Sequence, residues 1–250
     1  SLLIQKKRIP AVIWIQTAIT FVAFVILFMA PGNEMRVASE ITTWMPGYKE
    51  LSVGNHLFMT IQWMLSSFAN EGKAFFIAIW AAGFLLLMKS KKAKVYQILA
   101  VVFSVVALLP YAGISFFSEM GIGYIDIEQC LTELPTWQTM TTQNRIAFFW
   151  WIAAVLFTLV LLWKVTGHSV FISMVFLGGI ASEAVLHFSP TIYASGARVY
   201  YLTDLMYLFI ILWMVMHMDS EKKKNLFIAG VVVLGVANFL SQYSIMLLKL

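Results

Sequence analysis

Two acids and a histidine stand inside apolar stretches of this chain, where an ionisable side chain is costly. Glu183 and His187 are four residues apart, so a helix would place both on one face. Asp204 lies one turn inside the next apolar stretch, below Arg198. Ionisable groups inside a membrane face a bundle interior or a water cavity. The three residues therefore predict a functional pocket, with a structural ion pair or a packing contact as the alternative.

Two short turns that each lead to an arginine accompany these residues. Residues 30–36 read APGNEMR, so that a Pro-Gly-Asn turn comes before Glu34 and Arg36. Residues 189–198 read SPTIYASGAR, which ends on Arg198. An arginine can bind a phosphate with two parallel hydrogen bonds, and a carboxylate can serve as a base. The turns and the acids together predict a pocket with a phosphate clamp.

The composition indicates that lipid surrounds the elements that position this pocket. Hydrophobic residues make up 61% of the 250 positions and charged residues 12%, whereas a water-soluble domain has roughly a quarter charged residues. Several apolar runs approach the ~20 residues that a helix needs to cross a bilayer, and they lack the alternation of barrel strands. The sequence therefore predicts an all-α integral membrane protein. The net charge of +5 is explained by membrane topology and does not require a nucleic-acid partner.

The apolar runs predict seven transmembrane helices in one polytopic domain, 1–250. Their approximate positions are residues 10–30, 74–88, 95–117, 146–163, 170–188, 200–216 and 226–248. The shorter run at about 56–68 carries polar residues, and an extra crossing there would put two lysine clusters on opposite sides. We therefore predict an external interfacial or re-entrant helix for it.

Basic clusters set the predicted orientation in the plasma membrane. Eleven of the seventeen basic residues lie in the clusters 6–8, 89–94 and 222–224 and at Lys164. Placing these in the cytoplasm puts the amino terminus inside and the carboxyl terminus outside. Eight of the twelve acids, and both arginine turns, then lie on the extracytoplasmic side. The sequence thus predicts that any chemistry faces away from the cytoplasm.

The two turns resemble the motifs of a known family. APGNEMR after a span and FSPTIYASGARVYY before another are similar to motifs of an uncharacterised family of membrane proteins from Gram-positive bacteria. That family is grouped with the polyprenyl-phosphate-dependent glycosyltransferases of the GT-C fold. The resemblance implies a GT-C-like membrane enzyme that moves a sugar from a polyprenyl-phosphate donor to a cell-envelope acceptor.

The resemblance also implies roles for individual residues. Arg36 and Arg198 match the motif arginines and would bind the lipid phosphate, while Asn33 would shape the first loop. A carboxylate of that loop, here Glu34, would deprotonate the acceptor or hold a metal. We accordingly list Glu34, Glu183 and Asp204 as catalytic candidates. The substrate-binding candidates are Asn33, Arg36, His187, Tyr193 and Arg198.

Several expectations stay open at this point. GT-C proteins usually have an Asp or paired-Asp motif near the amino terminus and more than seven spans, so we expect this chain to be the later part of a longer architecture. A divalent cation is one candidate cofactor, although no metal-ligand spacing is present. The alternatives to a transferase are a transporter or flippase for a lipid-linked or small anionic substrate, and a non-catalytic subunit of a membrane complex.

Overall fold

The computed structural model describes residues 33–70, 72–109, 137–138, 140–167, 170–185, 189–191 and 200–248, together with six isolated positions between 15 and 26. This part of the chain consists of helices and connecting turns and contains no strand, which confirms the predicted all-α class. Eight α-helices have both ends within the described residues. They are α1 (Asn33–Trp44), α2 (Val53–Asn70), α3 (Lys73–Leu87), α4 (Lys94–Leu108), α5 (Thr142–Val165), α6 (Val170–Ala184), α7 (Tyr201–Met216) and α8 (Glu221–Leu248).

Helix α3 forms the centre of the bundle. It packs against α2, α4, α5, α7 and α8, and Phe76, Ile79, Trp80 and Ala82 on it are completely buried. Close approach to α5 requires a glycine, because a Cβ at Gly83 would lie 2.7 Å from a methyl carbon of Leu161. The indole N–H of Trp80 donates to Thr158 Oγ1 of α5 at 2.8 Å. The core around α3 therefore combines large aromatic and aliphatic residues with small residues that allow close helix packing.

The contacts fix the direction of each helix relative to α3. Phe76 touches Trp151 and Trp80 bonds Thr158, so α3 and α5 run in the same direction. Helix α7 also runs parallel to α3, whereas α4, α6 and α8 run the opposite way. Pairs of contacts establish these directions. They are Phe76–Tyr207 and Lys89–Asp219 for α7, Trp80–Phe103 and Leu87–Gln97 for α4, and Gly179–Tyr207 and Ser182–Thr203 for α6 against α7. Helix α8 begins beside the end of α3, where Lys223 bonds Leu85, and packs along α3 from there.

One end of the bundle collects basic residues, and we call it the lysine end. Asp219, between α7 and α8, accepts from Lys89 at 2.7 Å and pairs with Lys223 at 2.9 Å. These two hydrogen bonds lower the pKa of Asp219 from 3.8 to about 2. Because α5 runs parallel to α3, Lys164 in its last turn lies at the same end. Three of the four basic clusters used to predict the orientation thus share one end, and residues 6–8 lie outside the described residues.

Helix α2 covers the run at about 56–68, for which an interfacial or a re-entrant helix was predicted. It is longer than the predicted 56–68 segment, and eight of its residues, most of them in its second half, are buried. It meets α3 at an angle of 70° across the short break after Asn70. That burial fits a broken or re-entrant span better than a helix lying on the outer surface. The segment after the predicted first span, which the motif at 30–36 predicts to be a loop, contains a helix, α1. Ile41 near its end and Met45 just after it are buried.

By length and composition, one helix of the described part, at Asn144–Val165, could cross a bilayer, and the bent pair of α2 and α3 could supply a second crossing. The shorter apolar helices α4, α6 and α7 have 15 or 16 residues. This count does not support the predicted seven crossings. Of the predicted first span, only the six isolated positions are described, and they are helical.

Candidate functional site

Glu183 of α6 is the most deeply buried acid among the described residues, with 2% of its surface exposed. The Ser67 hydroxyl of α2 donates to Glu183 Oε2 at 2.9 Å and also lies 2.8 Å from the Met64 carbonyl oxygen. One hydroxyl hydrogen serves these two acceptors in turn. The last turns of α2 and α6 therefore meet through a polar contact inside an otherwise apolar bundle.

Helix α7 approaches α6 closely at the same level. A Cβ at Gly179 would lie 3.1 Å from Tyr207 Cε1, so the glycine admits the tyrosine ring. The hydroxyls of Ser182 and Thr203 are 2.9 Å apart, and both lie within 3.0 Å of the Gly179 carbonyl oxygen. Small and hydroxylated residues thus let the two backbones approach and join them.

Tyr207 lies one turn after Asp204 on α7 and packs against Gly179, one turn before Glu183 on α6. The residue is 1% exposed, and its ring packs against Phe68, Phe76 and Phe176. Glu183 and Asp204 both lie close enough to act electrostatically on the hydroxyl. The hydroxyl oxygen has no hydrogen-bond partner among the described residues. An unpaired buried hydroxyl is costly, which makes this group available to a bound molecule.

Asp204 lies in the first turn of α7 and is only partly buried. A carboxylate in the first turn of a helix interacts favourably with the positive end of the helix dipole. The structure therefore brings two of the predicted catalytic acids, Glu183 and Asp204, to neighbouring helices around Tyr207. Tyr207 precedes the end of α7 at Met216 by nine residues, or about 14 Å at the helical rise, so the acids lie well away from the lysine end.

Glu34 and Arg36 occupy the exposed start of α1. The Arg36 side chain is 75% exposed, and its Nε donates to Glu40 Oε1 at 2.8 Å. This bond and the charge of Glu40 raise the pKa of Arg36. One N–H donor of the guanidinium is therefore already bonded within α1. Asn33 is the first residue of α1.

The remaining predicted site residues, His187, Tyr193 and Arg198, lie outside the described residues. The start of their segment is described at residues 189–191. There the Ser189 and Thr191 hydroxyl oxygens are 2.6 Å apart, and the Thr191 N–H donates to Ser189 Oγ at 3.3 Å. Pro190 lies within this local turn, as is typical of proline.

The sequence analysis did not single out Tyr207 or the contact of Ser67 with Glu183. A signal for Tyr207 existed, because Thr203 and Tyr207 share one helical face at a spacing of four with Asp204 beside them. Ser67 is one of the polar residues in the run at about 56–68, and nothing in the sequence indicates that it contacts an acid. Gln62, one turn earlier on α2, is another buried polar residue, and its Oε1 has no partner among the described residues.

In the part of the chain that the structure describes, no group of three or more His, Cys, Asp or Glu residues could hold a metal ion. No protein-family model, no curated protein and no solved structure matches the chain. The family resemblance of the two loop motifs therefore stays a prediction, and the chemistry of the site is argued from its own residues.

Proposed function

We propose that the chain is a multi-pass helical membrane protein, with the lysine end in the cytoplasm and the acids toward the opposite side. The outward faces of its helices support this, because they expose large apolar side chains in continuous rows. On α6 and α7 the row comprises Phe171, Met174, Leu177, Leu205, Leu208, Phe209 and Leu212. Apolar patches of this extent mark a lipid or protein contact surface, and the lysines follow the positive-inside rule. Seven crossings and a GT-C-like arrangement belong to this proposal.

Within that membrane protein, we propose a transferase that moves a sugar from a polyprenyl-phosphate donor to an envelope acceptor. The observation that carries the proposal is the pair of acids, Glu183 and Asp204, near the Tyr207 hydroxyl, which has no hydrogen-bond partner among the described residues. The resemblance of the loop motifs to GT-C proteins agrees with this assignment. Two carboxylates beside a free hydroxyl can orient an acceptor alcohol and take its proton.

The proposed reaction is a substitution at the anomeric carbon of the donor. The acceptor oxygen forms a bond to that carbon, its proton passes to one of the carboxylates, and the polyprenyl phosphate leaves with the electrons of the broken bond. Arg36 and Arg198 are the proposed phosphate ligands, because arginine stabilises the charge that develops on the leaving group. Arg36 would exchange its bond to Glu40 for the phosphate.

Substitution of the acids tests the proposal directly. Glu183→Gln and Asp204→Asn keep the shape of each side chain and remove the proton acceptor, so we expect a loss of about 10²–10⁴-fold in transfer. The measurement is incorporation of labelled sugar into the envelope of cells that express each variant. Glu221→Gln, an exposed acid at the lysine end, is the matched control. Unchanged labelling in both site variants, or in Arg36→Ala and Arg198→Ala, would refute the transferase.

A transporter or flippase is the second candidate, and one specific observation favours it. Helices α2 and α3 meet at 70°, and Ser67, close to that break, contacts the buried Glu183. Broken helices beside a buried carboxylate are typical of proton-coupled transporters. Uptake of a lipid-linked or small anionic substrate into proteoliposomes would identify this activity if it requires a proton gradient and is lost in Glu183→Gln.

A further inference from the structure

An apolar groove runs along the outside of the bundle between α3, α4 and α8. Its volume is about 660 Å³, and its wall includes Trp80, Ala100, Val105, Gly230 and Val233. Val105 and Val233 are more than half exposed, so the groove is open along its length. No atom of the described residues lies within 4 Å of a Cβ built at Gly230, which leaves room there for a slender chain.

The length of the groove matches one leaflet of a bilayer. On α8 it extends from Leu226 to Ala237, a span of about 16 Å at the helical rise of about 1.5 Å per residue. Half of the ~30 Å hydrocarbon core is about 15 Å. A single hydrocarbon chain that enters from one leaflet would therefore be covered from its head to its end.

Lysines stand at one end of this groove. Leu226, Gly230, Val233 and Ala237 form one stripe of α8 that lines the groove, and Lys222 continues this stripe toward the lysine end at helical spacing.

Helix α4 forms the opposite wall of the groove, and it too has a stripe of lining residues that continues to a lysine. Val101, Val105 and Leu108 form the lining stripe of α4, and Lys94 continues it in the same direction. Lys94 and Lys222 are both exposed. A third lysine, Lys223, donates to the carbonyl oxygen of the groove residue Leu85 at 2.9 Å.

We propose that the groove binds an anionic phospholipid of the lysine-side leaflet, with one acyl chain between α3, α4 and α8 and its phosphate at Lys94 and Lys222. The charge complementarity argues for this occupant. A neutral lipid would gain the apolar contacts alone, whereas an anionic lipid gains both the contacts and the attraction of the lysines. The proposal rests on the membrane insertion proposed above and is independent of the transfer reaction.

The test uses the whole purified chain in detergent, titrated with dioleoyl-phosphatidylglycerol and, separately, with dioleoyl-phosphatidylcholine. Native mass spectrometry counts the lipids retained. We expect the anionic lipid to bind more tightly. Lys94→Gln and Lys222→Gln should each weaken only the anionic lipid, by about fivefold per lysine. Lys164→Gln, at the lysine end but on α5, is the charge control and should have no effect.

A pair of glycine variants tests the groove itself. Gly230→Leu should lower the affinity for both lipids by about tenfold or more, because losing the contact of two methylene groups already has that effect. Gly235→Leu is the matched control: it lies on the same helix, its Cβ also meets nothing within 4 Å, and it does not line the groove.

Three results would overturn the proposal. They are equal binding of the two lipids, equal binding by the two glycine variants, and a lipid-independent dimer that Gly230→Leu abolishes, which would assign the groove to a second copy of the chain. If Gly230→Leu fails to fold, the lysine variants decide the question alone. Loss of sugar transfer is not among the readouts, so this proposal and the transferase fail separately.

Discussion

At the scale of single residues, the most specific prediction concerns Tyr207. Its buried hydroxyl has no partner among the described residues, and an unpaired polar group of this kind costs about 1–3 kcal/mol. Tyr207→Phe should therefore stabilise the chain by about 1 kcal/mol while lowering its activity at least tenfold. Thermal unfolding in detergent measures the first effect and sugar labelling the second.

The control for that variant is Tyr201→Phe, since Tyr201 is 70% exposed and should change neither quantity. A Tyr207→Phe protein that is both less stable and fully active would show that the hydroxyl has a structural partner and no functional role.

The acids of the site could be predicted from the sequence, and their partners could not. Glu183 and Asp204 stand out because an ionisable residue in an apolar run is rare. The contact of Ser67 with Glu183 joins residues 116 positions apart, and only the packing of α2 against α6 creates it. Sequence spacing indicates which residues are neighbours on one helix, but it does not indicate which residues of two different helices are in contact.

At the scale of helices, glycines decide how closely α3 can pack. Gly83→Ala should destabilise the chain by about 1–3 kcal/mol, because the new methyl group would overlap the fully buried Leu161. Gly235→Ala meets no neighbour and should stabilise α8 by about 0.5–1 kcal/mol. Thermal unfolding of the two variants side by side measures both changes. Equal effects would mean that α3 and α5 separate easily at this crossing.

The Asp219 carboxylate connects α3 to α8 and gives the lysine end a pH dependence. Its pKa falls from 3.8 to about 2 in the folded chain. The stabilisation is therefore complete above pH 3.8 and is lost as the pH falls through about 2. Asp219→Asn should melt below the wild type at pH 7, and the difference should shrink between these two values and vanish near pH 2. A difference that persists at pH 2 would contradict the role of the charge.

The positions of the helices in the chain could be predicted from the sequence, but the angles and contacts between them could not. The predicted runs at 74–88 and 200–216 differ from α3 and α7 by one residue at most, because long apolar runs end at charged or polar residues. Helix α1 was predicted as part of a polar loop because the segment is rich in polar residues. Of its described residues only Ile41 is buried in the core. The break between α2 and α3 has a counterpart in hydropathy, because the polar residues 70–73 separate two apolar runs. The 70° angle at the break has none, because hydropathy carries no information on direction.

At the scale of the whole molecule, the two ends of the bundle should lie on opposite sides of the membrane. The test starts from Cys130→Ser, which removes the single cysteine. Ser90→Cys then places a thiol at the lysine end and Gln138→Cys one at the opposite end, and both positions are exposed. A membrane-impermeant maleimide should label Gln138→Cys in intact cells and Ser90→Cys only after lysis. Labelling of Ser90→Cys in intact cells would reverse the proposed orientation.

The hydrogen bonds at the end of α3 have a consequence for the folding of the chain during its synthesis. The last carbonyls of a helix lack partners within it, and here Gln97 of α4 donates to that of Leu87 while Lys223 of α8 donates to that of Leu85. The Leu87 carbonyl oxygen also accepts from the Ser90 N–H, so its partners leave the ribosome within ten residues. The partner of the Leu85 carbonyl oxygen follows 138 residues later. Helices α3 and α4 can therefore assemble as an early hairpin, but α3 is completed only when α8 arrives. A chain that stops before α8 would therefore lack the Lys223 donor and leave the Leu85 carbonyl oxygen without this bond.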